Sequence, residues 1–277
     1  MVAVGAEYRD LAGIAERVAV EAAELVASAR QSMDRGEQVS VETKSSDTDV
    51  VTAVDQQAER FIRDRLAELR PADPVLGEEQ GHHTTPDSAE RTVTWVVDPI
   101  DGTVNFLYGV PCFAVSVAAQ LDGESVAGAV VEPISGRRWT AVRGAGSWLD
   151  GQVLTVSHPE RLDVALCSTG FAYDAARRRR QADMVAGLLG AVRDIRRSGS
   201  AALDLCAVAA GWYDAHVEHG LSHWDWAAGA LIAAEAGAEV TLPGDDGLCG
   251  PDTTIAVAPT IGAALRQRLA DCGCAAV

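Results

Sequence analysis

Trp95-Val96-Val97-Asp98-Pro99-Ile100-Asp101-Gly102-Thr103-Val104-Asn105-Phe106 is the stretch on which the reading of this 277-residue chain turns. The β-branched and aromatic run from Thr92 to Val97 predicts a buried strand. It ends in two carboxylates, Asp98 and Asp101, followed by Gly-Thr at an expected helix start. Pro99 fixes φ and supplies no N–H, so the turn between the two acids is stiff. Gly102 lets backbone come close to a ligand, and the N–H groups that open a helix suit a phosphate. Carboxylates beside a phosphate cradle point to metal-assisted phosphoryl chemistry. Mg²⁺ is the expected ion, because it takes hard oxygen ligands and is bound by a few carboxylates together with substrate phosphate.

More than one ion requires further acids, and two other segments offer them. Gly77-Glu78-Glu79 follows the short apolar piece Val75-Leu76, and Trp224-Asp225-Trp226-Ala-Ala-Gly229 opens an apolar helix. The candidate ligand set is therefore Glu78, Asp98, Asp101 and Asp225. Each acid also has a purely structural reading: Asp98 and Asp101 as turn and cap residues, Glu78 and Glu79 as a solvated loop, Asp225 as a helix cap.

Around these segments, Leu11, Ile14, Val18, Ala22, Leu25 and Val26 recur at helical spacing and predict an amphipathic helix over 11–28. A second helix is expected from Asp55 to Leu69, ended by Pro71. Cys112 to Leu121, Asp122-Gly123 and Ser125 to Val131 read as a hairpin, since Asp-Gly suits the two positive-φ positions of a type I′ turn. Further strands are expected at 138–142 and 147–149, making residues 1–150 helices packed on an antiparallel sheet. Residues 151–277 read as an α/β half, with strands near Val164 and at 194–197, 213–217, 239–242 and 254–258.

The formal net charge of −17 argues against nucleic acid or an anionic membrane as partner. It also means that an anionic substrate needs a local reversal of sign, for which bound divalent cations are the natural source. Apolar runs such as 164–167 and 227–234 fall short of the roughly 18 residues of a membrane span. Glu7, Arg9, Asp10, Glu16 and Arg17 interrupt any signal-peptide core, so a soluble, cytoplasmic protein is expected. The six cysteines, Cys112, Cys167, Cys206, Cys249, Cys272 and Cys274, include no C-x-x-C pair and are expected to be reduced thiols; Cys272 and Cys274 alone do not close a zinc site.

Several competing motifs fail on context. His216, His219 and His223 imitate a zinc pattern but fall on a strand, its end and a helix approach, so their side chains need not converge. Asp47-Thr-Asp49 imitates a phosphoaspartate signature but follows the polar Lys44-Ser-Ser rather than a buried strand. Arg177 to Arg180 reads as an exposed helix face, with a dimer contact or an anionic substrate as alternatives. There is no G-x-S-x-G, P-loop or dinucleotide-binding glycine pattern.

Taken in order, the motifs are Lys44-Ser-Ser-x-x-Asp49-x-Val-Thr-x-x-Asp55, Gly77-Glu78-Glu79, Asp98-Pro-Ile-Asp101-Gly-Thr103-x-Asn105-Phe, Gly199-Ser-Ala201, then Glu218 and Trp224-Asp225-x-Ala-Ala-Gly229. In this order and over nearly the whole chain, they resemble the inositol monophosphatase family of lithium-sensitive, Mg²⁺-dependent phosphatases. The resemblance implies a layered αβαβα sandwich of the inositol monophosphatase and fructose-1,6-bisphosphatase type, a homodimer, and two to three Mg²⁺ ions per site. Carried over, it assigns metal binding to Glu78, Asp98, the Ile100 carbonyl, Asp101 and Asp225. Thr103, with Asp55, would orient a metal-activated water for in-line attack, Glu78 belonging to the same catalytic group. Substrate would lie against Asp101, Gly102, Thr103, Gly199, Ser200, Ala201, Glu218 and Asp225, and Lys44 would order the site loop; Thr103 and Asp55 also have a structural reading, as caps. The implied enzyme is a phosphoric monoester hydrolase acting on myo-inositol 1-phosphate. Fructose 1,6-bisphosphate, 3′-phosphoadenosine 5′-phosphate and histidinol phosphate are the alternative substrates, and a non-catalytic metal-dependent binding or regulatory protein is the alternative of another class.

Overall fold

Apolar residues at helical spacing reach well beyond the expected 11–28 interval, and the first helix, α1, runs Val2–Asp34 with Leu11, Ala15, Val18, Ala22 and Val26 buried. The structure, a computed structural model, describes residues 2–43, 50–83, 93–245 and 247–277. After α1 come the paired short strands β1 (Val41–Thr43) and β2 (Val50–Thr52), then α2 (Ala53–Leu69), which starts on a Thr52 cap. Then follow β3 (Val75–Gly77), β4 (Gly81–His83), β5 (Thr94–Asp101), the short α3 (Thr103–Tyr108), β6 (Ala114–Leu121), β7 (Glu124–Val131), β8 (Arg138–Val142), β9 (Gly146–Leu149) and β10 (Gln152–Val153). Strands β3 to β10 form an eight-stranded sheet in the order β10-β9-β8-β7-β6-β5-β3-β4.

The remaining elements are β11 (Leu166–Thr169), α4 (Ala175–Leu189), β12 (Asp194–Arg196), α5 (Ala201–Ala209), β13 (Ala215–His219), α6 (His223–Glu235), β14 (Glu239–Thr241), β15 (Thr253–Val257) and α7 (Gly262–Asp271). Their strands form a five-stranded sheet in the order β12-β11-β13-β15-β14. Three apolar clusters join five layers, the second of them filling both sides of the middle layer. Helices α1 and α2 cover one face of the large sheet, α5 and α6 lie between the sheets, and α4 and α7 close the outer face of the small sheet. This is the expected αβαβα sandwich. The middle strands are buried almost throughout because both faces are covered: Trp95 and Val97 face α1 and α2, while Val96 faces α5 and α6. No helix among the described residues is long and apolar enough to cross a membrane.

The expected hairpin is present, with Asp122 at φ 55° and Gly123 at φ 83°. Asp150-Gly151, at φ 48° and 80°, makes a second turn of the same kind, and so carries the large sheet on to Val153. Several expectations need correction. The large sheet is not wholly antiparallel, because β3 pairs parallel with β5. The strand near Val164 is a short 3₁₀ turn over Leu162–Val164; the strand begins at Leu166, beside the fully buried Ala165, whereas Asp163 is turned outward to pair with Arg161. The cysteines are not all reduced: Cys249 and Cys274 are joined in a disulfide, leaving Cys112, Cys167, Cys206 and Cys272 free. Their separation of 25 residues carries no local sequence signal. Thr92, the expected start of β5, lies outside the described residues.

Candidate functional site

A cleft of about 420 Å³ opens where the end of β5, the start of α6 and the loops after β11 and β13 meet. Asp98 and Asp101 occupy the end of β5, where pairing with β6 shifts register between them. In a regular strand, residues three apart point to opposite faces. The irregularity around Pro99 brings both carboxylates to one side, and oxygens of Asp98, Asp101 and Asp225 all lie within 4.8 Å of one another.

Asp225 reaches this point because α6 packs unusually close to its neighbours. A Cβ added at Gly128 of β7 would stand 3.1 Å from the Ala228 Cβ, and one added at Gly229 would stand 3.0 Å from the Leu205 Cβ of α5. The small residues of the Ala-Ala-Gly229 motif therefore seat the helix whose first turn carries Asp225.

Each of these acids gives one oxygen to a backbone N–H: Asp98 Oδ1 accepts from Ile100 at 3.0 Å, Asp101 Oδ2 from Ala202 at 2.7 Å, and Asp225 Oδ2 from Ser222 at 2.6 Å. The cap reading and the ligand reading of Asp225 are thus compatible, since a carboxylate has two oxygens. Burial is the largest influence raising Asp98 and Asp225 well above the usual carboxylate range, and the neighbouring acids push in the same direction. Asp101 is raised only to about 6, because hydrogen bonds from Ser200 and Ala202 oppose its burial. No cationic side chain is among the strongest influences on these three. A largely buried, all-oxygen donor set with unrelieved negative charge fits a hard divalent cation.

Glu78, on the turn between β3 and β4, lines the same cleft, hydrogen-bonds with Asp98 and raises Asp98, Asp101 and Asp225 by its charge. The Ile100 carbonyl accepts from the Thr103 hydroxyl at 3.1 Å, and that hydroxyl also stands 2.9 Å from Asp55 Oδ1. The other oxygen of Asp55 is held by the Thr52 N–H at 2.8 Å and by the Thr52 hydroxyl. Gly102, at φ 98°, precedes α3, and a Cβ there would meet the Gly199 carbonyl at 3.0 Å and the Cys112 carbonyl at 3.1 Å.

Gly199 and Ala201 line the cleft. The Ser200 side chain is turned away from solvent, donating to Asp101 Oδ2 at 2.6 Å and capping α5. Glu218 lies against Gly170, where any Cβ would collide with its carboxylate. Burial raises Glu218 to about 8 and Asp204 to about 7, while His216 between them is lowered to about 3. His216 is therefore neutral, and its approaches to Asp204 at 3.8 Å and Glu218 at 3.7 Å are not ion pairs. Sequence reasoning named neither Asp204 nor the cleft-lining Arg197.

The histidine triplet does not converge: His216 meets Ser168, His219 meets the Cys249 carbonyl, and His223 meets Gln120 and stacks on Trp226. Of the arginine run, Arg177 pairs with Asp252, and Arg178 holds the carbonyls of Ala172 and Tyr173 in the cleft wall. Lys44, Asp47 and Asp49 lie outside the described residues.

The model of the inositol monophosphatase family matches residues 7–276. The inositol-1-monophosphatase of Mycobacterium leprae is 53% identical over 267 residues, covering 92% of each chain. The Nus factor SuhB of Pseudomonas aeruginosa is 42% identical, covering 82% of this chain and 83% of its own. Among solved structures, Mycobacterium tuberculosis SuhB superposes with a TM-score of 0.81 at 44% identity, covering 95% of this chain and 97% of that one.

Proposed function

The chain belongs to the inositol monophosphatase family, and on that premise we propose that it hydrolyses myo-inositol 1-phosphate to inositol and inorganic phosphate with the help of Mg²⁺. The observation that carries this reading is the trio Asp98, Asp101 and Asp225, whose oxygens lie within 4.8 Å of one another. Together with Glu78 and the Ile100 carbonyl, these residues would hold two to three ions. Bound Mg²⁺ neutralises phosphate charge and lowers the pKa of water.

The other steps belong to side chains. Thr103 has one hydroxyl hydrogen. When the Ile100 carbonyl is otherwise engaged, that hydrogen goes to Asp55, and the hydroxyl lone pairs are left to accept a hydrogen bond from the attacking water and aim it at phosphorus. Asp55, fixed by Thr52, keeps the Thr103 rotamer. Gly102 leaves room for phosphate against the backbone. Glu218 faces the alcohol portion of the substrate, and the M. leprae relative's name supports inositol as that alcohol. Lithium sensitivity, a homodimer and a cytoplasmic location belong to the same reading.

A second reading, metal-dependent binding without turnover, draws support from the relative named a Nus factor. Phosphate release from inositol 1-phosphate, fructose 1,6-bisphosphate, 3′-phosphoadenosine 5′-phosphate and histidinol phosphate, with Mg²⁺ and with EDTA, separates the two. Fastest Mg²⁺-dependent release from inositol 1-phosphate is expected. Preference for another ester would change the substrate and keep the chemistry, whereas no release from any would favour the second reading.

A further inference from the structure

Helix α2 carries two buried carboxylates one turn apart. Asp55 faces Thr103; Glu59, fully buried one turn further along the same face, meets the β3–β4 turn that bears Glu78. Both oxygens of Glu59 accept from that turn, Oε2 from the Glu79 N–H at 2.6 Å and Oε1 from the Gln80 N–H at 3.1 Å. Arg63, one turn further on, donates to Glu59 Oε1 at 2.8 Å. It also reaches the Val75 carbonyl of β3 at 3.1 Å and the Gly81 carbonyl of β4 at 2.7 Å, in the two strands that flank the turn. A Cβ at Gly77 would stand 2.5 Å from Glu59 Oε1, so the glycine before Glu78 is what lets the turn close on the carboxylate.

We propose that Glu59, braced by Arg63, is a positioning residue that holds the backbone of the Glu78 turn at the one place from which Glu78 reaches the Asp98 cluster. This rests on the metal-site reading given above. The turn is short and solvent-facing, and on its own its N–H groups would be satisfied by water in many conformations. A charged acceptor taking two successive N–H groups, itself clamped by a guanidinium that bonds both flanking strands, leaves one conformation. Partners of metal ligands that fix orientation in this way typically change metal affinity by about 10- to 100-fold when removed.

The test compares Glu59→Gln, Arg63→Lys and Glu78→Gln in the full chain. Two readouts are used: Mg²⁺ affinity by calorimetry, and the rise in melting temperature that Mg²⁺ produces over EDTA. Glu59→Gln keeps the shape but replaces one acceptor by a donor against the turn; about a 10- to 100-fold weaker Mg²⁺ affinity is expected, with kcat recovering at saturating Mg²⁺. Arg63→Lys keeps the charge but cannot span both carbonyls, and a smaller loss of the same sign is expected. A merely structural role would lower the melting temperature in EDTA and leave Mg²⁺ affinity unchanged, and that result in either folded variant would overturn the proposal. Should Glu59→Gln not fold, Arg63→Lys alone decides. If Glu78→Gln weakens Mg²⁺ binding while the other two do not, only the positioning role falls; if Glu78→Gln also leaves binding unchanged, the metal-site reading falls and the proposal with it.

Discussion

Two groups of largely buried acids flank the cleft, Glu218 lining it and Asp204 standing behind it; burial is the largest influence on both groups, and they differ in what else surrounds them. On the side of the large sheet, Asp98, Asp101 and Asp225 are crowded against one another and against Glu78, with no cationic side chain among their strongest influences. On the side of the small sheet, Asp204 and Glu218 are raised chiefly by burial, with neutral His216 between them and Arg197 opposing the shift. The first group can be ionised together only if a cation joins it. The second is at ease protonated, and a neutral carboxyl is a hydrogen-bond donor suited to a hydroxyl group. One cleft thus offers a cation-demanding wall for phosphate and a neutral polar wall for the alcohol.

The sharpest way to break this contrast is to neutralise one acid on each side. Asp98→Asn removes charge where charge is required, and a fall in kcat of at least ~10³-fold is expected from losing several kcal/mol of metal-borne stabilisation. Steady-state rates at saturating Mg²⁺ measure it, and near-normal turnover would remove Asp98 from the metal set. On the other wall, Glu218→Ala deletes the polar head and is expected to raise KM for inositol 1-phosphate by roughly 10-fold, the worth of one hydrogen bond. A simple aryl phosphate, which lacks the hydroxyls, should be little affected. Glu218→Gln keeps a neutral group of the same shape and is expected to cost much less than Glu218→Ala. If the two variants were equally impaired, Glu218 would be acting as an anion and the walls would not differ in kind.

Much of the first wall was legible in the sequence. Asp98 and Asp101 were marked by an adjoining proline or glycine where an apolar strand had to end, Asp225 by its place at the start of an apolar helix, and the structure brings their oxygens together. Reading each as either cap or ligand concealed that a carboxylate does both, as the Ser222 N–H on Asp225 shows. The second wall was less legible. Asp204 lies inside an apolar helix, where a single polar residue looks like a tolerated exception until its neighbours are known, and His216 shares its strand with Glu218 and His219, which gives no sign of which polar residue turns toward the cleft. Glu59 and Arg63 do carry a local signal, four residues apart on a helix. That spacing, however, describes exposed pairs as well as buried ones. The Cys249–Cys274 link joins segments with no common pattern, and only the packing of the chain end against the loop after β14 brings them together.

The smallest expected effect separates the two walls by pH. A carboxyl raised in the folded state lends stability that is complete below its unfolded pKa and is lost as pH climbs to its folded one. For Asp101 that interval runs from 3.8 to about 6, for Asp204 from 3.8 to about 7, and for Glu218 from 4.5 to about 8. The melting temperature in EDTA is therefore expected to fall between about pH 4 and 8. Mg²⁺ binds only the ionised cluster, so its stabilisation should grow as pH rises through about 6, where Asp101 loses its proton, and on through the range of the more strongly raised Asp98 and Asp225. At 100 times its Kd the ion adds ~2.7 kcal/mol, which for a chain of this size is roughly 5 °C. Asp204→Asn should flatten the slope in EDTA between pH 4 and 7 and leave the Mg²⁺ increment as it was, because Asp204 belongs to the other wall. A variant that reduced the increment instead would show that the two groups titrate as one network and that the cation draws on both.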